Sequence, residues 1–166
     1  MKKIAILVAS SGMNLKLANK LAEVASDMEV ETQIIDLVDL NFPLYSTAEE
    51  KIGIPDQAIN LANTMKAARA MIVVVPEYNG SVPPVFINAI AWVSRSSEDW
   101  RAALNGKMAA IATHSGGGGA HALMALRQQL SYCGVNVLGR QMLTNYSKEL
   151  NVEAAKQTFT DLTRLS

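Results

Sequence analysis

The sequence of 166 residues contains a single cysteine, Cys133, so an internal disulfide is excluded and a reducing, cytoplasmic setting is the expectation. Cys133 sits among apolar residues late in a predicted helix, which points to a buried, inert thiol rather than a nucleophile. Neither sign of charge is in excess: 15 Lys and Arg face 15 Asp and Glu. Nucleic acid and membrane surfaces, which call for a basic excess, are therefore not expected as partners. No apolar run approaches the ~20 residues that span a bilayer. The run at residues 4–9 is too short for a signal peptide and passes straight into a polar turn. There is no internal repeat and no low-complexity linker. Neither G-x-G-x-x-G nor G-x-x-x-x-G-K-[ST] occurs, which argues against a Rossmann dinucleotide fold and a P-loop NTPase. The two histidines, His114 and His121, lack nearby Cys or carboxylate partners, so no metal site is expected.

What is present alternates. Apolar residues make up 49% and charged residues 18%, and the length suits one domain, taken as residues 1–166. Residues 3–9 (KIAILVA) form a continuous β-prone run, as a strand buried on both faces would. Residues 14–26 follow with Leu15, Ala18, Leu21, Ala22 and Ala25 at helical spacing. A less buried strand is predicted at 31–35, then a long polar connection over 36–55. Asp56 is a plausible N-cap for a helix to Ala68. Further strands are predicted at 70–75 (AMIVVV), 107–113 (KMAAIAT) and 134–138, and further helices to about Ser94, at about 120–133 and at 152–165. Strands alternating with helices imply parallel strands joined by right-handed crossovers. Five of them fit the doubly wound order 2-1-3-4-5, in which ligands bind where strands 1 and 3 diverge.

The loops after strands 1, 3 and 4 are the unusual ones. The first runs Ala9, Ser10, Ser11, Gly12, Met13, Asn14 into a helix N-terminus, which favours phosphate through free N–H groups and a partial positive charge. Taken alone, ordinary serine or asparagine capping explains it as well. In the second, Pro76 to Pro83, Asn79 and Gly80 suit a tight turn with positive φ, and Glu77 can fold back onto backbone donors. The third, Thr113, His114, Ser115 and Gly116 to Gly119, lets a flat ring lie against bare backbone. His114 reads as a site wall and His121 as an exposed helix position. The methionines fall mostly at apolar helix positions and read as core filling.

The string PEYNGSVP at 76–83, followed by NAIAWVSR at 88–95, resembles the NADPH-dependent FMN reductase family. The resemblance runs from ILVAS (6–10) through PLY (43–45) to GGAHALMALRQQL (118–130). It implies an α/β, flavodoxin-like three-layer sandwich with a five-stranded parallel sheet. It also implies flavin mononucleotide (FMN) bound non-covalently, NAD(P)H as donor, and a small acceptor: a flavin, quinone, azo compound or metal oxyanion. Pro76, Glu77, Tyr78, Asn79 and Gly80 would line the isoalloxazine, and Ser10, Ser11 and Asn14 would sit at the ribityl phosphate. Ser115, Gly116, Gly117 and Gly118 would meet the pyrimidine edge. Hydride would pass through flavin N5, so no side chain is assigned a catalytic role. A homodimer or tetramer is implied, with Trp92 and Trp100 as candidate interface anchors.

The first loop departs from the family pattern. Ala9 replaces a glycine, the loop is shorter, its arginine is absent, and Gly12 stands for a second serine. The phosphate thereby loses a bidentate partner, and each such charge-assisted bond is worth roughly 1.5–3 kcal/mol. Ile87 and Ala91 stand where the family often has lysine and aspartate. Two other readings follow: a flavodoxin-type electron carrier, which would ordinarily be acidic, and a flavin-binding module without turnover.

Overall fold

Strands β1 (Ile4–Val8), β3 (Ala70–Val74) and β4 (Met108–His114) are runs of small and β-branched residues. β1 and β3 are buried throughout, as strands covered on both faces must be. With β2 (Thr32–Asp36) and β5 (Asn136–Thr144) they make one parallel sheet of order β2-β1-β3-β4-β5, the order expected. The computed structural model describes residues 3–166. Met1 and Lys2, counted in the domain expected over 1–166, lie outside them.

Successive residues of one strand enter opposite cores because strand side chains alternate. Ile4, Ile6 and Val8 pack with Leu17 of α1 (Met13–Asp27) and Phe159 of α6 (Val152–Leu165). Ala5 and Leu7 instead join Leu61 of α3 (Asp56–Ala67), Phe86 of α4 (Pro84–Val93) and Leu126 of α5 (Ala120–Tyr132). Helices thus cover both faces and the three layers are complete. Among the described residues no helix is long and apolar enough to cross a membrane.

The sequence reading departs from the structure in three places. The connection over 36–55 contains a short helix, α2 (Thr47–Ile52), capped by the Ser46 hydroxyl accepting from the Glu49 N–H at 3.1 Å. That S-x-x-E capping box is visible in the sequence. Asp56 lies inside the first turn of α3, and Pro55 holds the N-cap position. β5 extends to Thr144 rather than ending at Leu138, because its ladder skips: Ala109 pairs with Val137 but Ile111 with Gln141. The carbonyls loosened there accept from the Arg127 guanidinium of α5, Val137 O at 3.3 Å, Leu138 O at 2.9 Å and Gly139 O at 3.4 Å. An irregular strand of this kind breaks the apolar run that marks a strand in sequence.

Candidate functional site

The sheet order brings the carboxyl ends of β1, β3 and β4 side by side, so the loops at 9–12, 75–83 and 115–119 share one edge. The first and third have backbone donors open among the described residues. α1 starts at Gly12 with no side-chain cap, and the N–H groups of Ser10, Ser11, Gly12 and Met13 meet no acceptor among the described residues. Four N–H groups are orphaned at any helix start, and left uncapped they form a cradle for an anion. Gly116 and Gly117 likewise present N–H groups that meet no acceptor among the described residues.

The second loop folds as the sequence predicts. Asn79 and Gly80 have φ of 51° and 73°, and Tyr78 and Ser81 exchange two backbone bonds of 3.0 Å. Two successive positive φ values are the signature of a tight two-residue turn. Tyr78 is left half exposed on it, while Pro76 is buried beneath. Glu77 folds back: its Oε2 accepts from the Ala122 N–H of α5 at 3.2 Å. A carboxylate in the first turn of a helix is also favoured by the helix dipole. Glu77 therefore ties the second loop to the third.

The glycine run divides into two parts. A Cβ on Gly118 would enter open space, and on Gly116 or Gly117 it would meet only ordinary contacts with Tyr146 at 3.5 Å and Glu77 at 3.7 Å. A Cβ on Gly119 would strike Thr113 at 2.5 Å, and its φ is 71°. Gly116, Gly117 and Gly118 thus keep a face clear, whereas Gly119 is required by packing. Ser115 sits at the head of the run, its N–H donated to Thr144 O at 3.1 Å.

Two polar side chains of the first loop are occupied within the protein. The Asn14 amide is 3% exposed and holds the His114 backbone at both ends, accepting from its N–H at 2.7 Å and donating to its carbonyl at 3.0 Å. The Ser11 hydroxyl donates to Asp36 at 3.1 Å. The Ser10 hydroxyl has no partner among the described residues. The cradle is consequently built from backbone, and Asn14 fixes it against the end of β4. Ser10, Ser11, Tyr78 and Pro83 border a common cavity of about 330 Å³.

Sequence reasoning missed a clamp behind the site. Asn88 accepts from the Tyr45 N–H at 2.8 Å and donates to Pro43 O at 3.0 Å, and the Trp92 indole N–H donates to the same carbonyl at 2.7 Å. Trp92 is fully buried with Tyr45 edge-on at 5.2 Å, which overturns it as an interface anchor. Trp92 stands near the end of α4, and its partner carbonyl at Pro43 is 49 positions away in sequence. Trp100 remains partly exposed, with the Arg101 guanidinium 4.3 Å from its ring. Cys133 is 5% exposed, and burial raises its thiol above the ordinary value. His121 is exposed.

The fold and the three-loop edge define a flavodoxin-like protein whose open crevice lies at the switch point of the sheet. Residues 2–149 match the family described as NADPH-dependent FMN reductase, and the chain belongs to it. Membership brings FMN as cofactor and NAD(P)H as donor. The chain is 37% identical to an NAD(P)H-dependent FMN reductase of Pseudomonas aeruginosa over 64% of its length and 57% of that protein's. It is 32% identical to a quinone reductase of Escherichia coli over 78% of its length and 66% of that enzyme's. Its backbone also superposes on a flavoenzyme NAD(P)H:(acceptor) oxidoreductase of Paracoccus denitrificans with a TM-score of 0.80, at 22% identity, over 99% of this chain and 97% of that one. The open N–H groups and the glycine face suit a planar, phosphate-bearing group.

Proposed function

We propose that the chain transfers electrons from NAD(P)H, through FMN held non-covalently by the three loops, to a small acceptor: a flavin, quinone, azo compound or metal oxyanion. The observation that carries this is the tying of the three loops into one surface by two bonds, Glu77 to Ala122 and Asn14 to His114. When bound, FMN supplies N5 as the hydride acceptor. Ser10 and Ser11, with the open N–H groups at the start of α1, would hold the phosphate, and Asn14 would position that loop. Pro76, Glu77, Tyr78, Asn79 and Gly80 would line the ring, and Ser115, Gly116, Gly117 and Gly118 its pyrimidine edge. Preorganised N–H groups there would stabilise charge on the reduced ring. No side chain is assigned a catalytic role.

The commitment of Ser11 to Asp36 and of Asn14 to His114 favours one second reading, a flavin-binding module with weak phosphate affinity and no turnover. The proposal extends to one domain over 1–166, a cytoplasmic location in keeping with the single cysteine, and a homodimer or tetramer supported by the exposed Leu44, Ile52 and Ile87. The test is NADPH oxidation by FMN-loaded protein with a quinone as acceptor. The proposal requires turnover well above that of free FMN, and a rate equal to free FMN selects the module.

A further inference from the structure

A second cavity, of about 190 Å³, lies between α1 and the segment that follows β5. Lys16 and Lys20 of α1, Lys148 and Glu149 of the β5–α6 loop, and His114 stand on its walls. It shares no residue with the cavity bordered by Ser10, Ser11, Tyr78 and Pro83. None of the three ammonium groups has an ion pair or hydrogen bond among the described residues, so Glu149 neutralises none of them. Lys16 and Lys20 are four apart on one helix face, where like charges repel. Glu149 on the same wall offsets one of the three charges at most, and an anion in the cavity would relieve the rest.

The inner wall carries the ring of His114. Thr144 Oγ1 donates to Thr113 O at 3.1 Å, so its lone pair faces His114 Nδ1, also at 3.1 Å. Nδ1 is then the N–H of the ring and Nε2 carries the lone pair. Nε2 is inaccessible to water and has no partner. Buried polar atoms are normally partnered, and this one lies behind the surface of the basic cavity.

We propose that this cavity is a phosphate-monoester site, and that it takes the 2′-phosphate of NADPH and so separates NADPH from NADH. The choice of donor rests on the function proposed above. Three point charges suit a dianion. The volume falls short of the ~300–1,000 Å³ that holds a whole ligand, so the cavity takes a head group while the rest lies outside it. Met13, on its wall, directly follows Gly12 of the crevice, which sets the two binding surfaces side by side.

The test titrates 2′,5′-ADP, AMP and inorganic phosphate into FMN-loaded protein by calorimetry, and measures KM for NADPH and NADH. Wild type should bind 2′,5′-ADP at least about tenfold more tightly than AMP, equivalent to about 1.4 kcal/mol. Lys16→Ala/Lys20→Ala and Lys148→Ala should erase that difference and raise KM for NADPH about tenfold. Their KM for NADH, FMN affinity and Tm should stay unchanged. Equal binding of 2′,5′-ADP and AMP by wild type overturns the proposal, as does binding of inorganic phosphate alone. A loss of FMN affinity in the lysine variants also overturns it, since the cavity would then hold the flavin's own phosphate. If wild type has no NADPH turnover the function above fails, while the 2′,5′-ADP comparison still decides this site.

Discussion

At the scale of single residues, the glycine run shows why one residue type can serve two purposes. Gly119→Ala combines a positive φ with a 2.5 Å approach to Thr113, and each is a named cause of destabilisation. It should cost about 1–3 kcal/mol, read as a lower Tm. Gly116→Ala meets only an ordinary contact, so its stability should stay within about 0.5 kcal/mol of wild type, with Tm nearly unchanged, while FMN affinity falls. Equal Tm values for the two variants would contradict the division. Cys133 carries a second prediction. Its folded-state pKa lies above the ordinary value of about 9, because burial disfavours the thiolate. A group with a raised folded pKa stabilises below its unfolded pKa, and that contribution is lost as pH rises through the folded value. Wild type should therefore lose more stability than Cys133→Ala above about pH 9, as measured by urea midpoints across the alkaline range. Parallel pH profiles would count against a buried thiol.

At the scale of elements, the clamp from α4 makes the segment at 42–45 part of the site's foundation. Asn88→Ala removes all three side-chain bonds to that segment, with the Tyr45 N–H and the Pro43 and Phe42 carbonyls. It should cost about 1–3 kcal/mol, and the Tyr45 amide should exchange with solvent faster by hydrogen exchange. An unchanged exchange rate would show that Trp92 alone suffices. Elements of this chain were legible in proportion to their regularity. β1 and β3 announced themselves as continuous apolar runs, and α6 matched its predicted span at both ends. The NG turn was readable because only certain residues tolerate positive φ. β5 was cut short in the reading because Gly139, Arg140 and Gln141 interrupt its apolar pattern, and only Arg127 on a different element explains how the strand survives. The partners of Ser11 and Asn14 were hidden for the same reason: Asp36 and His114 are remote in sequence, 25 and 100 positions away.

At the scale of the whole molecule, zero net charge hides a local arrangement. The open helix start and the glycine face gather at one sheet edge, and the unpaired lysines stand beside it on α1 and the β5–α6 loop. Attraction for a phosphorylated cofactor then comes from short-range groups, which salt screens beyond about 8 Å at physiological ionic strength. The central claim is that the three loops form one binding surface for FMN. Titrating FMN into the folded protein while following flavin fluorescence, then recording the visible spectrum after desalting, tests it most directly. The account predicts quenching that saturates at one FMN per chain and a protein that stays yellow. Emission that never changes, with a colourless folded protein after desalting, would contradict it.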